Sequence, residues 1–248
     1  MKLAKRSTNF SYFELIDACQ EPGCPLCRLG HRAARRHLAN LIYDGVNDVP
    51  LRATLRNSYG YCYEHAWMLP AAGESAPLGI AILHRDVLNT LRKRLTQMST
   101  GEEQTSSLKA RFGRLFKSTE PAQDPAESRY LTPLESCPAC VQRRESELLA
   151  YASLLEALGK EDGQMQAALL ASDGLCLNHL RQALDAAPNQ EAIDALIQTA
   201  QSQLDDLIRD LDEFIRKNDH RFRSEKISSS EGESWRRALQ RVSGALPD

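Results

Sequence analysis

The sequence predicts an all-α protein built from two related helical units, each stapled by a metal ion. Three observations carry this. Cys24-Pro25-Leu26-Cys27 with Cys62-Tyr63-Glu64-His65 is matched, about 113 residues on, by Cys137-Pro138-Ala139-Cys140 with Cys176-Leu177-Asn178-His179. The segments between the pairs have 34 residues (28–61) and 35 residues (141–175). Apolar residues recur at three-four spacing, and no segment alternates with period two between hairpin turns.

The elements follow in order. Pro25 and Pro138 suit the first turn of a helix, where no amide hydrogen is needed. Arg28 to Tyr43 presents Leu29, Ala33, Leu38, Leu41 and Ile42 on one face; Val141 to Leu158 presents Leu148, Leu149, Leu154, Leu155 and Leu158. Asn47-Asp48, after Gly45, offers a helix cap. Each repeat then has a glycine turn, in which Ser58-x-Gly60-x-Cys62-x-x-His65 matches Ser172-x-Gly174-x-Cys176-x-x-His179 position for position. Internal similarity of this kind means one supersecondary unit used twice. Longer helices follow: Pro77 to Met98 with Leu88, Leu91, Leu95 and Met98, and Gln190 to Lys217 with Ile193, Ile197, Ala200, Leu204, Leu207, Ile208, Leu211 and Ile215. After Lys217 a short pattern around Trp235, Leu239 and Val242 makes Trp235 a packing anchor.

Residues 99–136 are rich in Ser, Thr, Glu, Pro and Gln, as a linker would be. Within them Leu108 to Lys117 is short, basic and amphipathic, and reads as a linker helix packed on its own domain. The expected division is 1–98, first helical unit; 99–136, linker; and 137–248, second helical unit.

Three thiolates and one imidazole fill a closed tetrahedral zinc site. Equal spacers make within-repeat sites the economical assignment: Cys24, Cys27, Cys62 and His65 around one zinc, and Cys137, Cys140, Cys176 and His179 around the other. Six of seven cysteines are used, leaving Cys19. The long spacer exceeds that of common zinc fingers. A thiol-disulfide role would place Cys-Pro-x-Cys beside a strand in a βαβ unit, and no such strand is visible. Haem attachment needs His directly after Cys-x-x-Cys, where Arg28 and Val141 stand. An iron–sulfur cluster with one His ligand remains an alternative metal. A catalytic zinc keeps a position open for water, whereas four donors per site close it.

Composition narrows the function classes. The 248 residues carry 31 Lys+Arg and 33 Asp+Glu, a net charge of −2. Residues 1–100 hold 13 basic against 8 acidic side chains, and residues 137–248 hold 13 against 19. That imbalance is too weak for a nucleic-acid binder. It suits contact between the halves or a basic N-terminal face for an anionic partner. No run of about 18 apolar residues suggests a transmembrane helix, and Met1 to Thr8 lacks the apolar stretch of a secretory signal. The expected compartment is the cytoplasm, where thiols stay reduced and clustered cysteines read as metal ligands.

No catalytic set stands out: there is no Walker loop, GxGxxG or HExxH. His31 and His37 fall on a basic helix with Arg32, Arg35 and Arg36, read as a solvated face. The resulting expectation is a binding or adaptor protein with a protein partner. One alternative is an enzyme with an inter-repeat cleft, acting on a small anionic substrate through His84, Asp86, His220 or Arg221; another is a zinc-thiolate redox sensor.

Beyond the doubled motif, Val46-Asn47-Asp48, Leu78-Gly79-Ile80-Ala81-Ile82-Leu83-His84-Arg85-Asp86 and Phe214-Ile215-Arg216-Lys217-Asn218-Asp219-His220-Arg221-Phe222-Arg223 are telling. With them the chain resembles an uncharacterised bacterial family defined only as a domain of unknown function. The likeness covers nearly the whole chain apart from the linker. It implies a bacterial cytoplasmic protein and brings no established activity.

Overall fold

A computed structural model describes residues 2–43, 45–73, 76–100, 128–222 and 224–245. All its regular elements are helical, with no strand among the described residues. A first helix, α1 (Lys2–Cys19), precedes a series that runs twice in the same order. The first pass is α2 (Pro25–Tyr43), α3 (Val49–Asn57), α4 (Tyr63–Met68) and α5 (Ala76–Thr100). The second is α6 (Pro138–Leu158), α7 (Gly163–Ala171), α8 (Leu177–Ala186) and α9 (Gln190–Lys217), and α10 (Ser229–Ser243) closes the described chain.

Local chemistry fixes the helix starts in both passes. Asp48 caps α3 by accepting from the Leu51 amide, and Asp162 caps α7 by accepting from Gln164 and Met165. These caps satisfy amides that have no partner inside the helix. Asn189 does the same for α9, and Ser228 with Glu231 forms a reciprocal capping box at α10.

The chain divides into two compact units, but not at residues 98 and 137. Unit 1 is Met1–Ala34 with Gln142–Asp248, and unit 2 is Arg35–Val141. The cuts fall inside α2 and α6, so each of these helices starts in one unit and continues into the other. A sequence reading places boundaries in polar linkers; here the boundary follows packing. The segment Leu108–Lys117 lies outside the described residues.

Unit 1 centres on fully buried Leu15, Leu26, Leu154, Leu158, Met165 and Leu196. The hydroxyl of Tyr12 on α1 reaches Asp162 Oδ2 at 3.1 Å, joining α1 to the cap of α7. Unit 2 buries Leu38, Leu41, Leu55, Leu69, Leu83 and Val87. Asp86 on α5 accepts from Arg52 and Arg56 of α3, at 3.2 and 2.7 Å.

Several expected faces are shifted by about one residue. α5 buries Ala76, Leu83 and Val87, while Leu88 and Leu95 stay exposed. α9 buries Ala192, Leu196, Ala200 and Leu207, leaving Ile197, Ile208 and Ile215 outside; α6 leaves Leu148 and Leu149 outside. Small residues let a neighbouring helix come close, so the contact stripe need not follow the largest side chains. Trp235 is no packing anchor either: it is exposed and holds Arg236 over its ring at 5.0 Å. The buried residues of α10 are Ser234 and Arg241.

Candidate metal centres

Every Cys and His pair occupies the same two positions of a helix. Cys62 and Cys176 are the N-cap residues of α4 and α8, with extended backbone, and His65 and His179 stand three places on. Cys24 and Cys137 stand immediately before Pro25 and Pro138, the first residues of α2 and α6. In all four cases the carbonyl of the first ligand accepts from the amide four residues later: Cys24 from Arg28, Cys62 from Ala66, Cys137 from Val141 and Cys176 from Leu180. This puts side chains i and i+3 side by side at a helix entrance. The positive end of the longer helices favours thiolate there.

The Ser-x-Gly element builds the turn that aims the Cys-x-x-His pair. The Ser58 hydroxyl donates to the Gly60 carbonyl at 2.8 Å, and the Ser172 hydroxyl accepts from the Gly174 amide at 3.0 Å. Gly60 and Gly174 have φ of +91° and +79°, a region open to glycine and strained for other residues. A side chain at Gly174 would also collide, since its Cβ would fall 1.9 Å from Arg241 Nη1.

The pairs meet across the repeats, not within them. Cys24 and Cys27 join Cys176 and His179; Cys62 and His65 join Cys137 and Cys140. In each group the four donor atoms lie within 4.8 Å of one another and could hold a metal ion. The expected assignment of Cys62 and His65 to Cys24 and Cys27 is therefore corrected, as is that of Cys176 and His179 to Cys137 and Cys140. The physical reason lies in loop contacts that sequence spacing does not encode. In unit 1, the Gly23 amide donates to Asp173 Oδ2 at 2.7 Å, tying the turn before Cys24 to the turn before Cys176. In unit 2, the Leu134 amide donates to the Asn57 carbonyl at 2.8 Å, and the Tyr59 hydroxyl donates to the Tyr130 carbonyl at 2.7 Å. These bonds carry Cys137 to the turn before Cys62.

The donor geometry suits a small tetrahedral cation. In the first group His179 Nδ1 is 3.3, 3.4 and 3.3 Å from the sulfurs of Cys24, Cys27 and Cys176, and the Cys27 and Cys176 sulfurs are 3.8 Å apart. In the second, His65 Nδ1 is 3.2, 3.6 and 3.3 Å from Cys62, Cys137 and Cys140, with 3.6 Å between the Cys62 and Cys140 sulfurs. A tetrahedral zinc with ordinary bond lengths has edges of about 3.6 Å (S to N) and about 3.8 Å (S to S). Both groups approach these edges.

Their surroundings differ. All four donors of the first group are buried, whereas Cys62, Cys137 and Cys140 are partly exposed. Glu147 Oε1 lies 3.8 Å from His179 Nε2 and accepts from Arg143 Nε at 3.0 Å. A carboxylate behind a ligating imidazole fixes its orientation and raises its basicity. Gly30 makes room for it, since a Cβ there would fall 2.5 Å from Glu147 Oε1.

Crowding buried thiols together splits their acidities. Burial, reinforced by Cys176 and Cys27, pushes the Cys24 thiol well up. Burial with Cys62 and Cys137 pushes Cys140 up to about 12. Hydrogen bonds from Cys24 and Cys27 hold Cys176 far below the usual thiol range. Burial draws His179 down, yet its bonds to Cys176, Cys27 and Glu147 raise it to about 11. Such a set keeps protons that a dication would displace, so metal capture would release protons and weaken in acid.

The other candidates have local explanations. His31 is buried, not solvated, with Nε2 3.1 Å from the Ala245 carbonyl. His37 Nε2 pairs with the Tyr61 hydroxyl at 3.1 Å, and Arg32 pairs with Glu21. His84 Nδ1 is 2.9 Å from the Ile80 carbonyl of its own helix, while Asp86 holds Arg52 and Arg56. His220 and Arg221 are exposed and both pair with Asp219. Cys19 is buried, its thiol pushed up to about 11 by desolvation. Sequence reasoning missed Glu147 and Arg241, which no short motif marks.

No described helix is long and apolar enough to cross a membrane. No solved structure matches the chain. It is 23% identical over 230 residues, 93% of this chain and 99% of the relative, to an uncharacterized 23.9 kDa protein in the xynA 3' region of Caldicellulosiruptor sp. (strain Rt8B.4). A model of a family of unknown function, DUF6062, matches residues 8–248, and the chain belongs to that family.

Proposed function

We propose that this protein is a zinc-stapled helical binding or adaptor protein of the cytoplasm that holds two structural ions. Cys24, Cys27, Cys176 and His179 ligate the first, and Cys62, His65, Cys137 and Cys140 the second. The single observation that carries this reading is the convergence of eight donors into two four-donor clusters. A closed set of three thiolates and an imidazole leaves no coordination position for substrate, which favours a structural metal. The energetics agree. Structural zinc contributes about 10–16 kcal/mol in small metallo-domains, as much as the whole stability of a typical domain, about 5–15 kcal/mol.

The partner surface favoured here is the exposed Arg35 and Arg36 on α2, with Arg32 beside them. Their charge suits an acidic protein partner. Element analysis of protein purified without added metal tests the first part: two zinc ions per chain support it, and a folded metal-free chain refutes it. Changing Arg32, Arg35 and Arg36 to Glu tests the second. Loss of partner capture from the native cell with folding intact supports this face, and unchanged capture removes it.

A second reading is favoured for the second centre alone by the partial exposure of its three cysteines. There peroxide could take two electrons from two thiolates, forming one disulfide and two waters after uptake of two protons, and the ion would leave. Release of one zinc per chain at low peroxide, reported by a zinc dye, supports a sensor role; release only at high oxidant refutes it.

A further inference from the structure

The first centre has a charge problem that its ligands leave unsolved. Three thiolates around a dication, with a neutral imidazole, sum to −1 inside a buried pocket. An unpaired charge there is strongly unfavourable. Glu147 adds a carboxylate, but Arg143 already neutralises it at 3.0 Å.

A second unpaired charge of opposite sign lies in the same unit. Arg241, on α10, is 8% exposed. Its Nη1 donates to the Asp173 carbonyl at 3.1 Å, while its buried Nη2 has no hydrogen-bond partner. Arg241 lines a small cavity together with Leu169, Leu175, Leu180 and Leu196 and the polar Thr199 and Gln203. Burial lowers its affinity for the proton, and the negative charges of Cys24, Cys176 and Asp173 oppose that. The end of α10 reaches the same place: a Cβ at Gly244 would fall 3.5 Å from Cys27 Sγ and 3.9 Å from Cys176 Sγ.

Resting on the metal reading above, we propose that Arg241 is the charge partner of the first centre. Its buried guanidinium offsets the net negative charge of the loaded site, so that loading of that centre and docking of α10 reinforce each other. Loaded, the site offers one negative charge to one cation. Without the ion the guanidinium would lose that partner, and α10 would be held less firmly. Arg241 is thus a positioning residue that acts through the ligand sulfurs.

The test uses the full chain loaded with cobalt(II), whose thiolate charge-transfer bands report the coordination of each centre. Titration with a competing chelator should resolve two steps in the wild type. Arg241→Met should weaken one step by about 10- to 100-fold, the range for loss of a supporting partner, and leave the other unchanged. Arg241→Lys should recover part of the loss by restoring charge. Two steps unchanged in Arg241→Met, or both weakened equally, would overturn the proposal. Should Arg241→Met not fold, hydrogen exchange on the wild type decides: α10 amides must exchange faster after metal removal, and equal exchange overturns the linkage. Absence of charge-transfer bands in the wild type is a different failure, since it removes the metal reading itself.

Discussion

The two histidines face their cysteines through the same nitrogen. Both turn Nδ1 toward three sulfurs, as the position three residues into a helix dictates when the preceding cap is a cysteine. His179 has a carboxylate set behind Nε2 at ion-pair distance. Replacing Glu147 with Gln should therefore weaken metal at the first centre by about 10- to 100-fold, read by chelator competition, with the second centre unmoved. The glycine of each Ser-x-Gly turn is equally specific. Gly174→Ala combines a φ of +79° with a collision against Arg241 and Gln203. It should lower stability by about 1–3 kcal/mol in denaturant unfolding. At Gly60 nothing lies within 4 Å of an added Cβ, so alanine there should bring only the backbone strain, about 1 kcal/mol. All eight clustered donors and both turn glycines were legible in the sequence, because metal-type donor chemistry and positive φ restrict residue type strongly. Glu147 and the buried Arg241 were not, since a buried charge can come from anywhere in the chain.

Helices carry the ligands in pairs, and what joins the helices is less regular. α3 and α5 are linked through Asp86, which accepts from Arg56 and Arg52 at sites about one-quarter to one-third exposed. The Arg56 bond, with Arg52 adding to it against desolvation, holds the Asp86 carboxyl below the usual carboxylate range. A carboxylate with a depressed native pKa stabilises the fold above its unfolded pKa, near 4, and loses that contribution as pH falls through the native value. Asp86→Asn should thus lower stability by about 0.5–1 kcal/mol at pH 7, given partial solvent screening. The difference from wild type should begin to shrink as pH falls below about 4 and vanish below the lower native value. A difference that persisted there would mean packing, not charge, joins the two helices. The helix spans were readable from three-four periodicity, and Gln190 to Lys217 was placed to the residue. Which side each helix buries was read less well, because periodicity gives the stripe's spacing and neighbours choose its phase. On α10 the inversion was complete: Trp235 faces outward, and Ser234 and Arg241 face inward.

At the scale of the molecule, each unit holds one four-donor Cys/His group that could bind a metal ion, its two pairs drawn from the two passes of the chain. The Cys-Pro-x-Cys of one pass meets the Cys-x-x-His of the other, and the unit boundaries fall within α2 and α6 just beyond those cysteines. Equal spacers could not reveal this, since crossed and uncrossed pairings use the same ligands and differ only in which loops touch. The crossed arrangement also has an energetic consequence. An ion held by each group would close a large chain loop, from Cys27 to Cys176 and from Cys62 to Cys140, which restrains the unfolded chain more than a short clip would. Chelation should consequently unfold the chain cooperatively. The helical circular dichroism signal should fall as metal leaves, and fall more readily in acid, where protons compete for the sulfurs.

The crossed pairing is tested most directly by counting metal ions in two double variants of the full chain. Cys27→Ser with Cys176→Ser removes two ligands from one predicted centre, and this protein should keep one tightly held ion per chain. Cys27→Ser with Cys62→Ser damages both predicted centres and should keep none after dialysis against chelator. The reverse result, no ion in the first variant and one in the second, would show that each repeat holds its own metal and would contradict the account.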